Sequence, residues 1–570
     1  MKRSLYLLLS LFVLASMVLA ACGGPATEAP PAVEPTKAPE PTAVPPTEAP
    51  PPFVGEKLEA PGGNCDYGGN LKSIEAVDQH TVTFTFCAAE PAFIAKVGSV
   101  EAFDIYDSEY LKEIGGDAVK MNDAPVGTGQ YVVQEWVRGD HITFVPNPNY
   151  FGDAPANTTL ILRWNKEAAA RLLDLQAGNV SGIAEVTSDD LATIQADANL
   201  KLAPRKINNF LYLGINNTKP PFDNEKVRQA FAMLINKQQI VDDFYAPGSV
   251  PATQFVPAGV KPGFTDGYVD TTYDPAKAKQ MLTDAGFDFT KEYTLSYAER
   301  TRPYFPQPTK IAQAVQAQLA EAGIKIKLEM EEWATYLPAT RAGEKELFFL
   351  GWSEDYPDAT NWYDVFLTGS SAAYGDPFPD IVDLIKKGAT SGDPAARQGY
   401  YDEVNKLYAQ HVPTIVIAHG TVNLAFQAAV ENVVIGPYDE NFNLMKTADG
   451  TVVFSQDGEP VSLFCGDETD GNSFRACGLI FGSLYNFSTT SIPEPDLAEE
   501  CTANADATEW TCALRQGVVF SNGATFDAND VVATFSAGMD YNYPLRKGNT
   551  GSFQYYKDFF GPKVMNQPAE

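Results

Sequence analysis

The chain has 570 residues, of which 44% are hydrophobic and 12% aromatic, so it is long enough for about two to four packed domains. Its 41 basic and 73 acidic residues give a formal net charge of −32, which repels nucleic acid phosphates and anionic lipid head groups. The composition therefore predicts a globular protein that does not bind nucleic acid.

The first 22 residues have the layout of a bacterial lipoprotein signal. Lys2 and Arg3 precede an apolar run from Leu5 to Leu19 that is too short to span a bilayer, and small residues stand before Cys22. We expect cleavage before Cys22 and acylation of its thiol, which would anchor the protein in the cell membrane on the extracytoplasmic face. The alternative is an ordinary signal peptide with an incidental cysteine.

Residues 23–53 are rich in Pro, Ala, Glu and Thr and contain almost nothing to bury. This composition predicts an extended linker between the membrane and the folded part of the chain.

Six cysteines remain after Cys22, and in an oxidising compartment they have fifteen possible pairings. Local pairing closes three short loops, each worth about 3 kcal/mol in the chain-entropy model. The alternative is a set of buried free thiols. The predicted disulfides are Cys65 with Cys87, Cys465 with Cys477, and Cys501 with Cys512.

Strand and helix signals alternate along the chain. Residues 81–86 and 142–145 alternate in polarity and predict antiparallel strands with one solvated face. Asp274 and Pro275 predict a helix start before residues 276–285. Residues 309–322 predict a second helix, with Ile311, Val315 and Leu319 on one face, followed by a strand at 324–328. The pattern is typical of a mixed α/β protein.

Signatures of catalysis and cofactor binding are missing from the sequence. The four histidines have no metal-ligand spacing, and there is no CxxC, GxSxG or Walker A motif. Carboxylates such as Glu354, Asp355 and Asp358 cluster, but an acidic chain produces such clusters by chance. We therefore predict no enzyme activity, no cofactor and no metal site; an uncharacterised hydrolase is the alternative.

Several segments, in order, resemble the family 5 extracellular solute-binding proteins, the dipeptide and oligopeptide binders of ABC importers. The segments that carry the resemblance are Pro125–Tyr131, Arg138–Asp140, Asn147–Phe151, Val227–Phe231, Tyr273–Pro275, Gly323–Lys325 and Gly351–Asp358. The resemblance implies an α/β, periplasmic-binding-protein-like fold (type II, cluster C) with two hinged lobes and an extra small domain.

The order of the family's segments changes near residue 450. Residues from about Thr451 onward, including Glu459–Leu463, Leu514–Val518 and Gly523–Val532, resemble the family's amino-terminal part although they come last here. We interpret this as a circular permutation, with the old ends joined near 446–450 and new termini near Val54 and Glu570. Truncated tandem copies and a rearranged gene model are the alternatives.

The permuted arrangement predicts a small subdomain from 54–130 and 480–570, lobe I from 131–217 and 429–479, and lobe II from 218–428. It also makes one specific prediction. The helix containing Asp530–Val532 and the strand Thr81–Phe86 should belong to one small domain.

The resemblance also implies which residues contact the ligand. A free peptide needs an acid for its ammonium group and a base for its carboxylate. Asp355 matches the position that peptide binders use for the amine, and Arg302 matches the arginine used for the carboxylate. The alternative roles are a turn-capping Asp and a surface Arg. The other predicted ligand-binding residues are Trp352, Tyr356, Asp358, Thr469 and Asn472.

The expected partners are a short peptide, or alternatively an oligosaccharide or chelated metal, and an ABC permease of the cytoplasmic membrane. A monomer is expected. A surface receptor that does not transport is a further alternative.

Overall fold

A computed structural model of the chain describes residues 52–369 and 371–568. The predicted signal, Cys22 and almost all of the linker lie outside the described residues. The strands are β1 Lys57–Glu59, β2 Leu71–Asp78, β3 Thr81–Phe86, β4 Tyr131–Val137, β5 His141–Pro146, β6 Thr159–Trp164, β7 Gly182–Ile183, β8 Leu200–Lys206, β9 Asn209–Ile215, β10 Val250–Pro251, β11 Glu292–Ala298, β12 Lys325–Glu331, β13 Leu347–Ser353, β14 Thr414–His419, β15 Thr421–Gln427, β16 Thr451–Gln456, β17 Tyr485–Asn486, β18 Glu494–Pro495, β19 Ala498–Ala503 and β20 Glu509–Leu514. The α-helices are α1 Phe93–Ser99, α2 Ser108–Ile114, α3 Ala118–Asp123, α4 Ala168–Gln176, α5 Leu191–Ala196, α6 Glu225–Leu234, α7 Lys237–Phe244, α8 Pro275–Asp284, α9 Pro308–Glu321, α10 Trp333–Arg341, α11 Thr360–Leu367, α12 Pro379–Ala389, α13 Pro394–His411, α14 Gly471–Ile480, α15 Ala528–Met539 and α16 Gln554–Phe560.

One lobe is built on a six-stranded mixed sheet in the order β10-β14-β9-β13-β11-β12. Strand β9 is buried along its whole length because apolar clusters cover both faces of the sheet. The predicted apolar face of α9, Ile311, Val315 and Leu319, lies in one of these clusters. Asp274 caps α8 through the Lys277 amide, and Pro275 is its first residue, as the sequence predicts.

A seven-stranded sheet forms the other lobe, in the order β4-β5-β6-β16-β7-β15-β8. Strand β16 lies between β6 and β7 and runs parallel to both. A segment from the last quarter of the chain therefore supplies a central strand to a sheet made otherwise from earlier residues.

The small domain contains a five-stranded antiparallel sheet in the order β1-β2-β3-β20-β19. Strand β20 pairs directly with β3, so that Thr511 lies opposite Thr83. Helix α15 joins the same apolar cluster, and Asp530 accepts a hydrogen bond from the Ser108 amide at 2.8 Å. The prediction that the Asp530–Val532 helix and the strand Thr81–Phe86 share one small domain is confirmed. The permutation itself stays a prediction.

In the structure the chain passes between the two lobes at positions that differ from the predicted boundaries at 217 and 428. Strand β9 (209–215) belongs to the six-stranded sheet, and β15 (421–427) belongs to the seven-stranded sheet. The chain therefore crosses between the lobes at residues 207–208 and again at Gly420. The family resemblance located the lobes but not these crossings, because strand pairing alone decides them.

All three predicted disulfides are present. The Cα separations are 5.7 Å for Cys65–Cys87, 6.2 Å for Cys465–Cys477 and 4.0 Å for Cys501–Cys512. Cys501 and Cys512 are direct cross-strand partners in β19 and β20. The small domain, which joins remote segments, therefore carries two of the three crosslinks.

Candidate functional site

The site begins at the carboxyl ends of the parallel strands β11, β12 and β13. Ligands in open α/β sheets bind outside this edge, because the loops that follow the strands converge there. The loop after β11 contains Arg302, and the loop after β13 contains Glu354 and Asp355. The fold therefore brings two predicted ligand residues to one edge of the six-stranded sheet.

Asp355 is exposed and has no cationic partner among the described residues. Its carboxylate accepts a hydrogen bond from Asn361 Nδ2 at 3.0 Å, and its amide donates to Asn361 Oδ1 at 3.0 Å. Partial desolvation by the surrounding chain raises the pKa of Asp355, and the Asn361 hydrogen bond offsets part of that shift. The carboxylate is oriented and remains free to receive a cation.

Trp352 is partly buried beside Asp355. Its Nε1 donates to Asn361 Oδ1 at 3.2 Å, and its ring packs edge-on against Phe366 with centroids 5.7 Å apart. Asn361 therefore fixes both predicted ligand residues. The indole is an apolar surface next to a carboxylate, which suits a ligand side chain near an ammonium group.

Arg302 lies in a loop that packs on two glycines. A Cβ at Gly351 would lie 2.2 Å from the Tyr304 ring, and a Cβ at Gly420 would lie 1.9 Å from the Pro303 carbonyl. These close approaches fix the loop against β13 and the crossing between the lobes. In the described ranges Arg302 forms no salt bridge. Its guanidinium donates to the Thr301 carbonyl at 3.5 Å and also hydrogen-bonds with the Tyr304 side chain, so no acid of the described chain neutralises its charge.

The environment of Asp358 differs from the one expected for a ligand-binding residue. Asp358 is 3% exposed, and both of its carboxylate oxygens accept from the Arg397 guanidinium at 2.7 and 2.9 Å. The charge of Arg397 is one of the causes that lower the pKa of Asp358 against the opposing effect of burial. Because its hydrogen-bonding capacity is used inside the lobe, Asp358 stabilises the fold and does not face a ligand.

Tyr356 contacts the small domain. Its ring packs edge-on against Phe559 at 5.2 Å, and the Lys96 Nζ lies 5.1 Å from the ring centroid. Lys96 is buried and ion-paired with Glu90 at 2.8 Å. Tyr356 therefore links the six-stranded lobe to the small domain.

The two predicted residues of the other lobe differ in environment. Thr469 is exposed. Asn472 donates to Asp457 at 2.9 Å and accepts from Arg475 at 3.3 Å, and it lines a cavity of about 470 Å³. The cavity extends to Ile207 at the crossing between the lobes. Asn472 therefore contributes to a polar wall that faces the junction.

Glu354 was missing from the predicted site. Its Oε1 accepts from the Tyr438 hydroxyl at 2.6 Å and from Asn208 Nδ2 at 2.7 Å, which joins the two lobes beside the crossing. Burial raises the pKa of Glu354 to about 8. Its position next to Asp355 in the same motif was the available signal. Its partner Tyr438 lies 84 residues away and could not be inferred locally.

One acidic group among the described residues has three carboxylates close enough to share a cation: Asp107, Glu109 and Asp530. Asp107 caps α2, and Asp530 belongs to the capping box of α15. Helix capping accounts for two of the three carboxylates.

Comparison with known proteins identifies the family of this chain. The sequence model of the bacterial extracellular solute-binding proteins, family 5 Middle, matches residues 42–374 and 493–564. Di/tripeptide-binding protein 1 of Pseudomonas aeruginosa (strain UCBPP-PA14) is 32% identical over 388 residues, covering 65% of this chain and 70% of that protein. Heme-binding protein A of Haemophilus influenzae is 28% identical over 376 residues, covering 65% of this chain and 68% of that protein.

The solved structure of HbpA2 from Haemophilus parasuis superposes with a TM-score of 0.60 and 28% identity, covering 66% of this chain and 76% of that chain. The class of protein is thus a two-lobed solute-binding protein. The chain belongs to the bacterial extracellular solute-binding proteins, family 5. Within the described residues, no helix has the length and apolar character needed to cross a membrane.

Proposed function

We propose that this protein is the substrate-binding component of an ABC importer and that it takes short peptides between its two lobes. The di/tripeptide-binding relative at 32% identity supports the ligand class. Two chain crossings, at 207–208 and at Gly420, form a hinge between the lobes. A peptide that contacts both lobes binds the closed form more tightly than the open form. Binding therefore shifts the equilibrium between the two forms toward the closed one.

The observation that carries the proposal is the difference between two neighbouring acids. Asp358 is buried and fully paired with Arg397, whereas Asp355 is exposed and oriented by a neutral asparagine. An ammonium group bound to Asp355 gains a charge-assisted hydrogen bond in a partly desolvated place. Arg302, on the adjacent loop, binds the ligand carboxylate through its planar guanidinium.

The alternative ligands are an oligosaccharide, a chelated metal and haem. The haem-binding relative motivates haem as a candidate. The cavity wall at the junction contains Arg205, Glu185, Asp457 and Arg475, which are polar groups poorly suited to the apolar face of a macrocycle. A peptide, with charged ends and amide groups, fits this lining better.

The cellular arrangement belongs to the same proposal. Acylation of Cys22 anchors a monomer at the extracytoplasmic face of the cell membrane, and the closed form docks on a permease. A Cys22→Ser variant should appear in the soluble fraction while the wild type stays with membranes. Equal membrane retention of the two proteins would rule out the thiol as the anchor.

A thermal-shift panel tests the ligand class. Free di- and tripeptides at about a hundred times the dissociation constant should stabilise the protein by about 2.7 kcal/mol. Matched N-acetylated peptides, which lack the ammonium group, should stabilise it far less. Stabilisation by haem or by cello-oligosaccharides, with no response to free peptides, would contradict the proposed ligand and leave the family assignment intact.

A further inference from the structure

A second cavity, of about 120 Å³, is lined by residues from two parts of the chain, 98–151 and 438–496. Five carboxylates line it, from the helix-flanking segment at 101–104, from the loop at 439–440 and from the strand entry at 496. They are Glu101, Asp104, Asp439, Glu440 and Asp496. Glu101, Tyr438, Asp439 and Arg475 line both this cavity and the larger one at the lobe junction. The acidic cavity therefore adjoins the larger cavity at the lobe junction.

Buried acceptors in this cavity have no partner in the described part of the chain. Asp104 is 4% exposed and its Oδ2 receives no hydrogen bond, and Thr128 is 1% exposed with an unpartnered Oγ1. Asn486 Oδ1 is also buried and unpartnered. Leaving a buried acceptor without a hydrogen bond is unfavourable, so three of them around one cavity indicate a missing donor.

The nearest cation is already used. Arg475 donates to both oxygens of Glu440 at 3.0 Å, and Arg205 also pairs with Glu440. Two guanidinium groups therefore neutralise Glu440, one of the five carboxylates of the cavity. Within the described residues the other four carboxylates form no salt bridge. Burial and the neighbouring acids raise the pKa of Asp104 and of Glu101 well above the ordinary range.

The acceptors are spread over the wall. A Cβ at Gly478 would lie 3.4 Å from Glu101 Oε1 and 3.8 Å from Asp439 Oδ1. A Cβ at Gly482 would lie 2.9 Å from Thr128 Oγ1 and 3.0 Å from Asp496 Oδ2. Among the described residues, three acid oxygens within 4.8 Å of one another occur at Asp107, Glu109 and Asp530, not here. A wall of separated acceptors suits a group with several N–H donors on a stem better than one metal ion.

We infer that this acidic cavity is a side-chain pocket that receives the ammonium or guanidinium group of a lysine or arginine in the bound peptide. The inference rests on the proposed peptide-binding function and narrows the ligand class to basic peptides. The cavity is large enough for such a head group with a few waters, since one water needs about 10–15 Å³ of the same kind of volume.

Binding of a basic side chain has a proton signature. A cation that enters the cavity favours the ionised form of Asp104 and Glu101, whose pKa values are raised in the empty cavity. The other ionisable groups at the wall are Asp439, Asp496, Glu440, Tyr438, Tyr150 and Arg475. Binding at neutral pH should therefore release protons, and binding of an uncharged isostere should not.

Isothermal titration calorimetry in two buffers with different ionisation heats tests the pocket. The ligands are Ala-Lys-Ala and Lys-Ala-Ala with their norleucine counterparts, which match the stem but lack the charge. At least one lysine peptide should bind tenfold or more tightly than its counterpart, with proton release. Asp104→Asn should reduce this ratio to under threefold without weakening the norleucine peptides. Glu499→Gln, at an exposed position, is the matched control and should keep the full ratio.

Asp439→Asn is the second test variant, for use if Asp104→Asn does not melt cooperatively. Equal affinity for lysine and norleucine peptides would contradict the inference that the cavity binds a basic side chain, and it would leave the peptide-binding proposal intact. Absence of binding by all of the peptides would contradict both. An Asp104-dependent stabilisation by Ca²⁺ alone, without peptide, would identify a cation site and also overturn the inference.

Discussion

The two lobes differ in how the chain builds them. The six-stranded lobe is made from one continuous segment, 209–419, and supplies Asp355 and Arg302. The seven-stranded lobe and the small domain each combine segments from both parts of the chain, through β16 between β6 and β7 and through β20 beside β3. The difference teaches that strand pairing, rather than chain order, defines this fold, because segments remote in sequence bury one core.

A crosslink between the two parts of the small domain tests whether one molecule completes its own sheet. The double variant Thr83→Cys, Thr511→Cys places two cysteines at directly paired positions of β3 and β20. In the wild type the hydroxyl oxygens of these two threonines are 3.4 Å apart. A disulfide within one chain would close a very long loop and raise the free energy of unfolding by about 6 kcal/mol in the chain-entropy model. Non-reducing electrophoresis should show a crosslinked monomer.

The matched control places the second cysteine at an unpaired position of the same strand. Thr83→Cys with Glu509→Cys should not crosslink, because Glu509 lies opposite Thr85. Crosslinked dimers in place of monomers would show that the remote segments pair between molecules, as truncated tandem copies would.

Breaking the ion pair of the continuous lobe should have the next largest effect. Asp358→Ala leaves the Arg397 guanidinium buried and unpaired, which costs about 3–5 kcal/mol of unfolding free energy. Chemical denaturation should show this loss. Asp266→Ala removes the acid of an exposed pair with Lys261 in the same lobe, and it should cost less than about 1 kcal/mol. Similar small losses for both variants would mean that Asp358 is not structural.

The free energy of unfolding should depend on pH through Glu354, which forms hydrogen bonds beside the crossing between the two lobes. Its pKa is near 8 when folded and near the ordinary 4.5 when unfolded, so the folded state binds the proton more tightly. The stabilisation is complete below about pH 4.5 and is lost as pH rises toward 8, by about 1 kcal/mol per pH unit. Glu354→Gln should remove this part of the slope. The difference between the two stability profiles is the measurement, since other buried acids contribute equally to both. Parallel profiles would contradict the raised pKa.

Local signals in the sequence predicted local structure well. Asp274 and Pro275 predicted the start of α8, and short loop lengths predicted the disulfides, because both depend on residues a few positions apart. The crossings at 207–208 and Gly420 depend on strand partners remote in sequence.

The candidate site shows the same division. The family motif located Asp355, Trp352 and Glu354 at one turn. It did not reveal that Arg397 pairs with Asp358, or that Tyr438 reaches Glu354 from the other lobe. Burial and long-range partners distinguish the buried, ion-paired Asp358 from the exposed Asp355, and these are properties of the folded chain.

Titration of a free dipeptide into the wild type and Asp355→Asn is the most direct test of the proposed function. Loss of the acid should weaken binding by about 2 kcal/mol or more, which is roughly 30-fold or more, with little change in stability because Asp355 is exposed. The N-acetylated dipeptide should bind the two proteins equally weakly. Tight, equal binding of the free dipeptide to both proteins would contradict the assignment of Asp355 as the group that binds the peptide amine.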